Sequence, residues 1–233
     1  MGQNHYLITS LPALGELGSD PPMTGAELLV HLADSPGAAK LVETLLLADD
    51  LLQRDAVLAG EMDQASPAVL TAAQLADKEP LPDYLVPPEQ ARPRRVAGDA
   101  VWGAYFRHSA DMAKSRRCRF LSDWVGFEAA LRNALAEQRA KALELDAHEY
   151  FVVPQLSADI DLSATIGAWS GAADPLAGMK VLDRARWQWL NENDAWYSFR
   201  DDELAAYAAR LMLLARWRRL ARVADETPVA PTR

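Results

Sequence analysis

The chain has 233 residues, half of them hydrophobic, and a formal net charge of −9. That length suffices for one large or two small domains with a real core. The charge argues against general affinity for nucleic acid, because phosphates would be repelled by the averaged surface. A single cysteine, Cys118, excludes an intramolecular disulfide.

The opening stretch MGQNHYLITSLPALGEL has no lysine or arginine and too short an apolar run for a signal peptide. No later run approaches the roughly 18–20 apolar residues of a membrane span, so a soluble chain is expected. Residues 5–11, HYLITSL, are β-branched and aromatic and read as a short extended segment ending at Pro12. A Gly- and Pro-containing loop follows. Thr24 and Glu27 then spell a capping box ahead of a helix carrying Leu28, Leu29 and Leu32. Ser35 and Pro36 start a second helix that runs to Gly60, with Leu41, Leu45, Leu52 and Ala59 on one side. Ser66 and Pro67 repeat the start signal for a shorter helix, AVLTAAQLA. Residues 77–93 hold five prolines and read as a connector between two helical lobes. Residues 99–113 form a helix given bulk by Trp102, Tyr105 and Phe106.

The segment 120–145 reads as one long helix, about 39 Å at 1.5 Å per residue, and as the axis of the whole chain. Phe120, Trp124, Phe127, Leu131, Ala134, Leu135, Ala142 and Leu145 fall within one stripe. Glu128 and Arg132 are spaced as an i,i+4 pair beside it. EYFVVP, at 149–154, reads as a short extended piece, and 157–169 as a weaker helix. Asp174 and Pro175 start a helix with two apolar faces, Leu176, Met179, Trp187 and Leu190 on one, Gly178, Val181, Leu182, Ala185 and Trp189 on the other. Such a helix is expected between neighbours. The last helix starts near Asp201 and passes Leu220, with Leu204, Tyr207, Ala208, Leu211, Leu214 and Ala215 as its stripe. The tail DETPVAPTR is expected to fray. The fold expected is all-α, a multi-helix bundle with a short N-terminal extended segment. It divides into an N-terminal lobe with connector (1–93) and a C-terminal lobe (94–233), or forms one intertwined domain.

Catalytic patterns are scarce. His5, His31, His108 and His148 show no metal-ligand spacing, and Gly-rich phosphate loops and nucleophile elbows are absent. The doublets Asp49–Asp50 and Asp201–Asp202 evoke metal-binding aspartates, but lack a wider D-D-x-x-D pattern, and Asp201 has a ready role as a helix cap. Basic residues cluster twice: Lys114, Arg116, Arg117 and Arg119, and then Arg210, Arg216, Arg218, Arg219 and Arg222. The second cluster suits a helix C-terminus or a positive patch for an acidic partner. Trp187, Trp189, Trp196 and Trp217 read as core fillers or interface anchors.

Three passages together resemble one bacterial family encoded beside V/A-type ATP synthase genes. HYLITSLPAL resembles its YYLVASLP-L opening, and FEAALRNALAEQRAKAL its FE--LRN-L---RA helix. LDRARWQWLNEN with FRDDELAAYAARLMLLARW resembles its C-terminal text. That family is similar to the C-type (in eukaryotes d-type) rotor cap, the helical piece between membrane rotor ring and central stalk. The resemblance implies a non-catalytic, cofactor-free coupling part in the cytoplasm, at the inner membrane only through its complex. Its partners would be rotor-ring and stalk subunits, with no nucleic acid. Arg132, Asn133, Arg139, Asp183, Arg184, Arg186, Trp187 and Trp217 carry the match. With Arg216, Arg218 and Arg219 they are the candidate interaction or structural-network residues. Asp183 and Arg186, spaced i,i+3, favour a network. The family's usual acid after the phenylalanine is Arg200 here, which would shift the helix cap to Asp201 or Ser198. Full-length rotor caps are longer, with three similar lobes. The alternatives are a stand-alone helical enzyme using a metal at the acidic doublets, and a helical adaptor or assembly factor.

Overall fold

The computed structural model describes residues 4–88, 94–193 and 195–226. The structure is all-helical: α1 (His5–Thr9), α2 (Gly25–His31), α3 (Pro36–Leu58), α4 (Ala72–Leu75), α5 (Ala97–Arg116), α6 (Arg119–Ala142), α7 (Ser163–Ser170), α8 (Pro175–Glu192) and α9 (Asp201–Glu226). Short 3-10 turns lie at Asp83–Leu85, Ala147–Glu149 and Pro154–Leu156. Residues 89–93 of the expected connector and 227–233 of the expected tail lie outside the described residues.

The axis of the bundle is α9, not α6. Every residue from Leu204 to Leu214 is buried, so this helix is covered on all sides along three turns. Ala205, Ala206, Ala208 and Ala209 make this possible, because small side chains let α3, α6 and α8 approach closely on different faces. By contrast, α6 buries the expected Phe120, Trp124, Phe127 and Leu131 but keeps a solvent face. Its stripe ends early. The helix stops at Ala142, and Leu145 is exposed. Leucines of α3 and aromatic residues of α6 pack against α9, and those of α5 against α3 and α6, so residues from both halves of the sequence share one continuous core.

Residues 5–9 are helical, which corrects the expected extended segment. The hydroxyl of Thr9 donates to the carbonyl of His5 at 2.8 Å, and that of Ser10 donates to the carbonyl of Leu7 at 2.8 Å. Strand propensity is expressed only beside a pairing strand, and none is present among the described residues. The segment is pinned to α9 instead. Asn4 Nδ2 donates to Asp201 at 2.7 Å, and the Tyr207 hydroxyl donates to the carbonyl of Pro12 at 2.9 Å.

Helix starts follow the expected chemistry in part. The Thr24–Glu27 capping box is present, and Asp174 accepts from the Ala177 amide at 2.7 Å. Pro36 occupies the first turn of α3, although Ser35 contributes no side-chain bond. Ser66 and Pro67 start no helix. The amides of Ala68, Val69 and Leu70 are taken by the Asp50 carboxylate, and α4 begins after Thr71, which forms its own capping box with Gln74. The weaker helix expected at 157–169 is α7, starting at Ser163.

EYFVVP is irregular rather than a strand, yet it has one strand-like anchor. Asn133 on α6 accepts from the Val152 amide at 2.7 Å and donates to the Val152 carbonyl at 3.0 Å. The side-chain amide thus replaces a neighbouring backbone. The same segment crosses α6 again where the Ala158 amide bonds the Gly126 carbonyl at 2.9 Å. A Cβ on Gly126 would meet Ala158 at 3.3 Å, so a glycine suits this crossing.

Candidate functional site

Most residues singled out from sequence act as struts between helices. On α8, Asp183 is wholly buried and Arg186 nearly so. Arg186 donates to both carboxylate oxygens of Glu128 on α6, at 2.6 and 2.9 Å, and to Asp183 at 3.2 Å. Arg216 on α9 completes the set, its Nε 3.3 Å from the other oxygen of Asp183. Two acids and two guanidiniums cancel in charge and lock α6, α8 and α9 together. Burial opposes the charge on Arg186, but Glu128 and Asp183 outweigh it and raise its pKa. Burial dominates at Arg216 and lowers its pKa against the pull of Asp183.

The expected Glu128–Arg132 pair does not form, because Glu128 is engaged by Arg186. Arg132 turns to α5, where it pairs with Asp99 at 3.1 Å and stacks 4.4 Å above the Trp102 ring. The pattern recurs. Arg139 stacks on Trp169 of α7 at 5.3 Å, and Arg184 stacks on Trp217 of α9 at 5.5 Å. Trp187 lies in the core.

Arg210, Arg216 and Arg219 of α9 are tied inward, whereas Arg218 and Arg222 are exposed. Arg219 donates to both oxygens of Asp49, at 2.5 and 2.6 Å, and Arg218 pairs with Asp20. Arg210 donates to the carbonyl of Leu190 at 3.0 Å. In the earlier cluster, Arg116 bonds Asp201 at 2.8 Å.

The acidic doublets do not converge. Asp49 meets α9 at Arg219, whereas Asp201 opens the same helix 18 residues earlier, roughly 27 Å away along its axis. Asp50 is taken by three backbone amides. Asp202 accepts from the Phe120 amide at 2.9 Å and so caps α6 from outside. No group of three or more His, Cys, Asp or Glu residues suited to a metal exists among the described residues. Asp201 is the first residue of α9 and is bonded to Asn4 and Arg116; ahead of it Ser198 Oγ accepts from the Arg200 amide at 3.4 Å, and Glu203 takes the Phe199 amide at 2.7 Å. Cys118 is a buried residue at the start of α6, its thiol pushed up to about 12 by burial.

One hollow of about 450 Å³ opens where the first turns of α6 and α9 meet the end of α8. Its lining includes Arg117, Arg119, Arg200, Phe120, Trp189 and Asn193, with Asp123 and Asp202. Trp189 also packs against Phe120, Trp124 and Phe127, with ring centres 5.2–5.7 Å apart, so the floor is the edge of an aromatic cluster. Arg117 and Arg200 pair with no other described side chain, and Arg119 has only an exposed 3.3 Å pair with Asp123. Arg117 and Arg119 belong to one basic cluster in the sequence and Arg200 stands apart; that the three meet is not visible there, since about 80 residues divide Arg200 from the other two. A usable signal was the repeat of arginine immediately before two long helices.

No described helix is long and apolar enough to cross a membrane. Comparison of the chain with protein-family models, with curated proteins and with solved structures finds no match.

Proposed function

We propose that this protein is a non-catalytic subunit of a bacterial V/A-type ATPase, coupling the membrane rotor ring to the central stalk. The observation carrying this reading is the place of the residues that resemble the family. Arg132, Asp183, Arg184, Arg186 and Trp217 are committed to buried or stacked contacts between helices, and Asn133 to the segment that crosses α6. A body cross-linked in this way resists relative helix motion, which suits a part that passes torque. In this reading the protein sits at the cytoplasmic face of the inner membrane through its complex.

Tagged protein recovered from gently solubilised membranes of its native cell tests the proposal. Rotor-ring and stalk subunits in fixed ratio are expected. Wholly soluble protein, recovered alone, would contradict it.

A further inference from the structure

We propose that the hollow between the first turns of α6 and α9 is the docking point for a short acidic segment of a partner protein. The clearest mark is the contrast in how arginines are used. Arg116, Arg216 and Arg219 each face a largely buried carboxylate, and Arg218 an exposed one, Asp20. Arg117 and Arg200, on the hollow's lining, face none among the described residues, in a chain of net charge −9. The two aspartates of the lining are already engaged, Asp202 by the Phe120 amide and Asp123 by Arg119. A surplus of guanidinium donors is left pointing outward.

The ligand's charge and shape follow from chemistry. Guanidinium forks bind carboxylates bidentately. The floor of Phe120 and Trp189 offers apolar area that a bare inorganic anion would leave uncovered. Trp196 and Tyr197, 50% and 84% exposed, follow Ala195 of the lining in the chain, Trp196 carrying the guanidinium of Arg210 at 5.0 Å and Tyr197 standing exposed beside the hollow's rim residues in sequence. Arginine beside tryptophan and tyrosine is the composition of interface hot spots. A nucleic acid or an anionic membrane would meet the repulsion of the whole chain. A short segment feels mainly the local field, within a Debye length of roughly 8–10 Å. The occupant is therefore a peptide segment rich in Asp or Glu with an apolar residue among them. This deepens the coupling proposal, on which it rests only for the partner being a protein.

The test uses the purified full chain and a fluorescein-labelled peptide of glutamates flanking one phenylalanine, with lysine and serine versions as comparisons. Anisotropy should show binding of the acidic peptide alone, weakening as salt rises. R117Q/R200Q should lose about tenfold or more in affinity, while R222Q, which removes an exposed charge elsewhere, should not. Tyr197→Asn keeps a residue that tolerates the observed φ of 63° and should weaken binding several-fold. Circular dichroism establishes that each variant is folded. Equal binding of the three peptides, unchanged affinity in R117Q/R200Q, or equal loss in R222Q would overturn the proposal. Displacement by equimolar inorganic phosphate would overturn it in favour of a small-anion site. Peptide binding without co-purified ATPase subunits would retain the docking site and discard the coupling role.

Discussion

The two ends of α9 use arginine in opposite ways. Along its C-terminal half, Arg216 and Arg219 reach inward to Asp183 and Asp49 and join α9 to α8 and α3. At its N-terminal end, Arg200 stands exposed on a hollow with Arg117 and Arg119. The same side chain is a structural tie where an acid is built opposite it and a surface group where none is. Counting arginines along a helix therefore says little until their partners are known.

The comparison can be broken by removing charges at each end. Asp183→Ala strands Arg186 and Arg216 in the core and should lower unfolding free energy by about 3–5 kcal/mol, read from urea midpoints. A loss below about 1 kcal/mol would mean that the network is held by other groups. Asn133→Ala removes the only side chain bonded to both backbone groups of Val152 among the described residues. It should cost about 1–3 kcal/mol and speed amide exchange at Val152, measured by hydrogen-exchange mass spectrometry.

Asp50 sharpens the same point for an acid. Burial pushes its carboxyl up to about 6, against three backbone amides that favour the charged form. A group with a raised folded-state pKa contributes stability that is complete below the unfolded carboxylate range, near 4, and is lost as pH rises through about 6. The stability gap between the native chain and Asp50→Asn should therefore be larger at low pH than at neutral pH, by about 1 kcal/mol or more. A gap that narrows on acidification would show that the amides win. At the hollow, R117Q/R200Q should change unfolding free energy by no more than about 0.5 kcal/mol.

Much of the helical text was legible. Asp174–Pro175 and the Thr24–Glu27 capping box carry their own chemistry. The N-terminal parts of the expected stripes are buried, Leu41 and Leu45 on α3 and Phe120 to Leu131 on α6, whereas Ala59, Ala142 and Leu145 at their ends are exposed. Helix ends were harder, for a specific reason. Positive-φ residues close several helices through paired backbone bonds, but only Gly60 is a glycine; Asp77, Arg117 and Glu144 fill the same role. Those three side chains look like ordinary helix residues, so α6 was read three residues too long. The centrality of α9 was hidden because Ala205, Ala206 and Ala209, outside the expected stripe, are buried as fully as the residues within it.

Spacing found the Asp183–Arg186 contact, since it lies within one helix. Glu128 was assigned the wrong partner, because Arg186 is 58 residues away and no local pattern reports it. The hollow was beyond reach for the same reason: its arginines come from separate helix starts brought together by packing.

The most direct test compares urea unfolding of Arg186→Gln with that of Arg200→Gln. Each variant removes one positive charge from the same chain. Loss of about 3–5 kcal/mol in the first and less than about 0.5 kcal/mol in the second would establish that partnered arginines hold the fold and hollow arginines do not. Equal losses would contradict the division of roles on which both proposals stand.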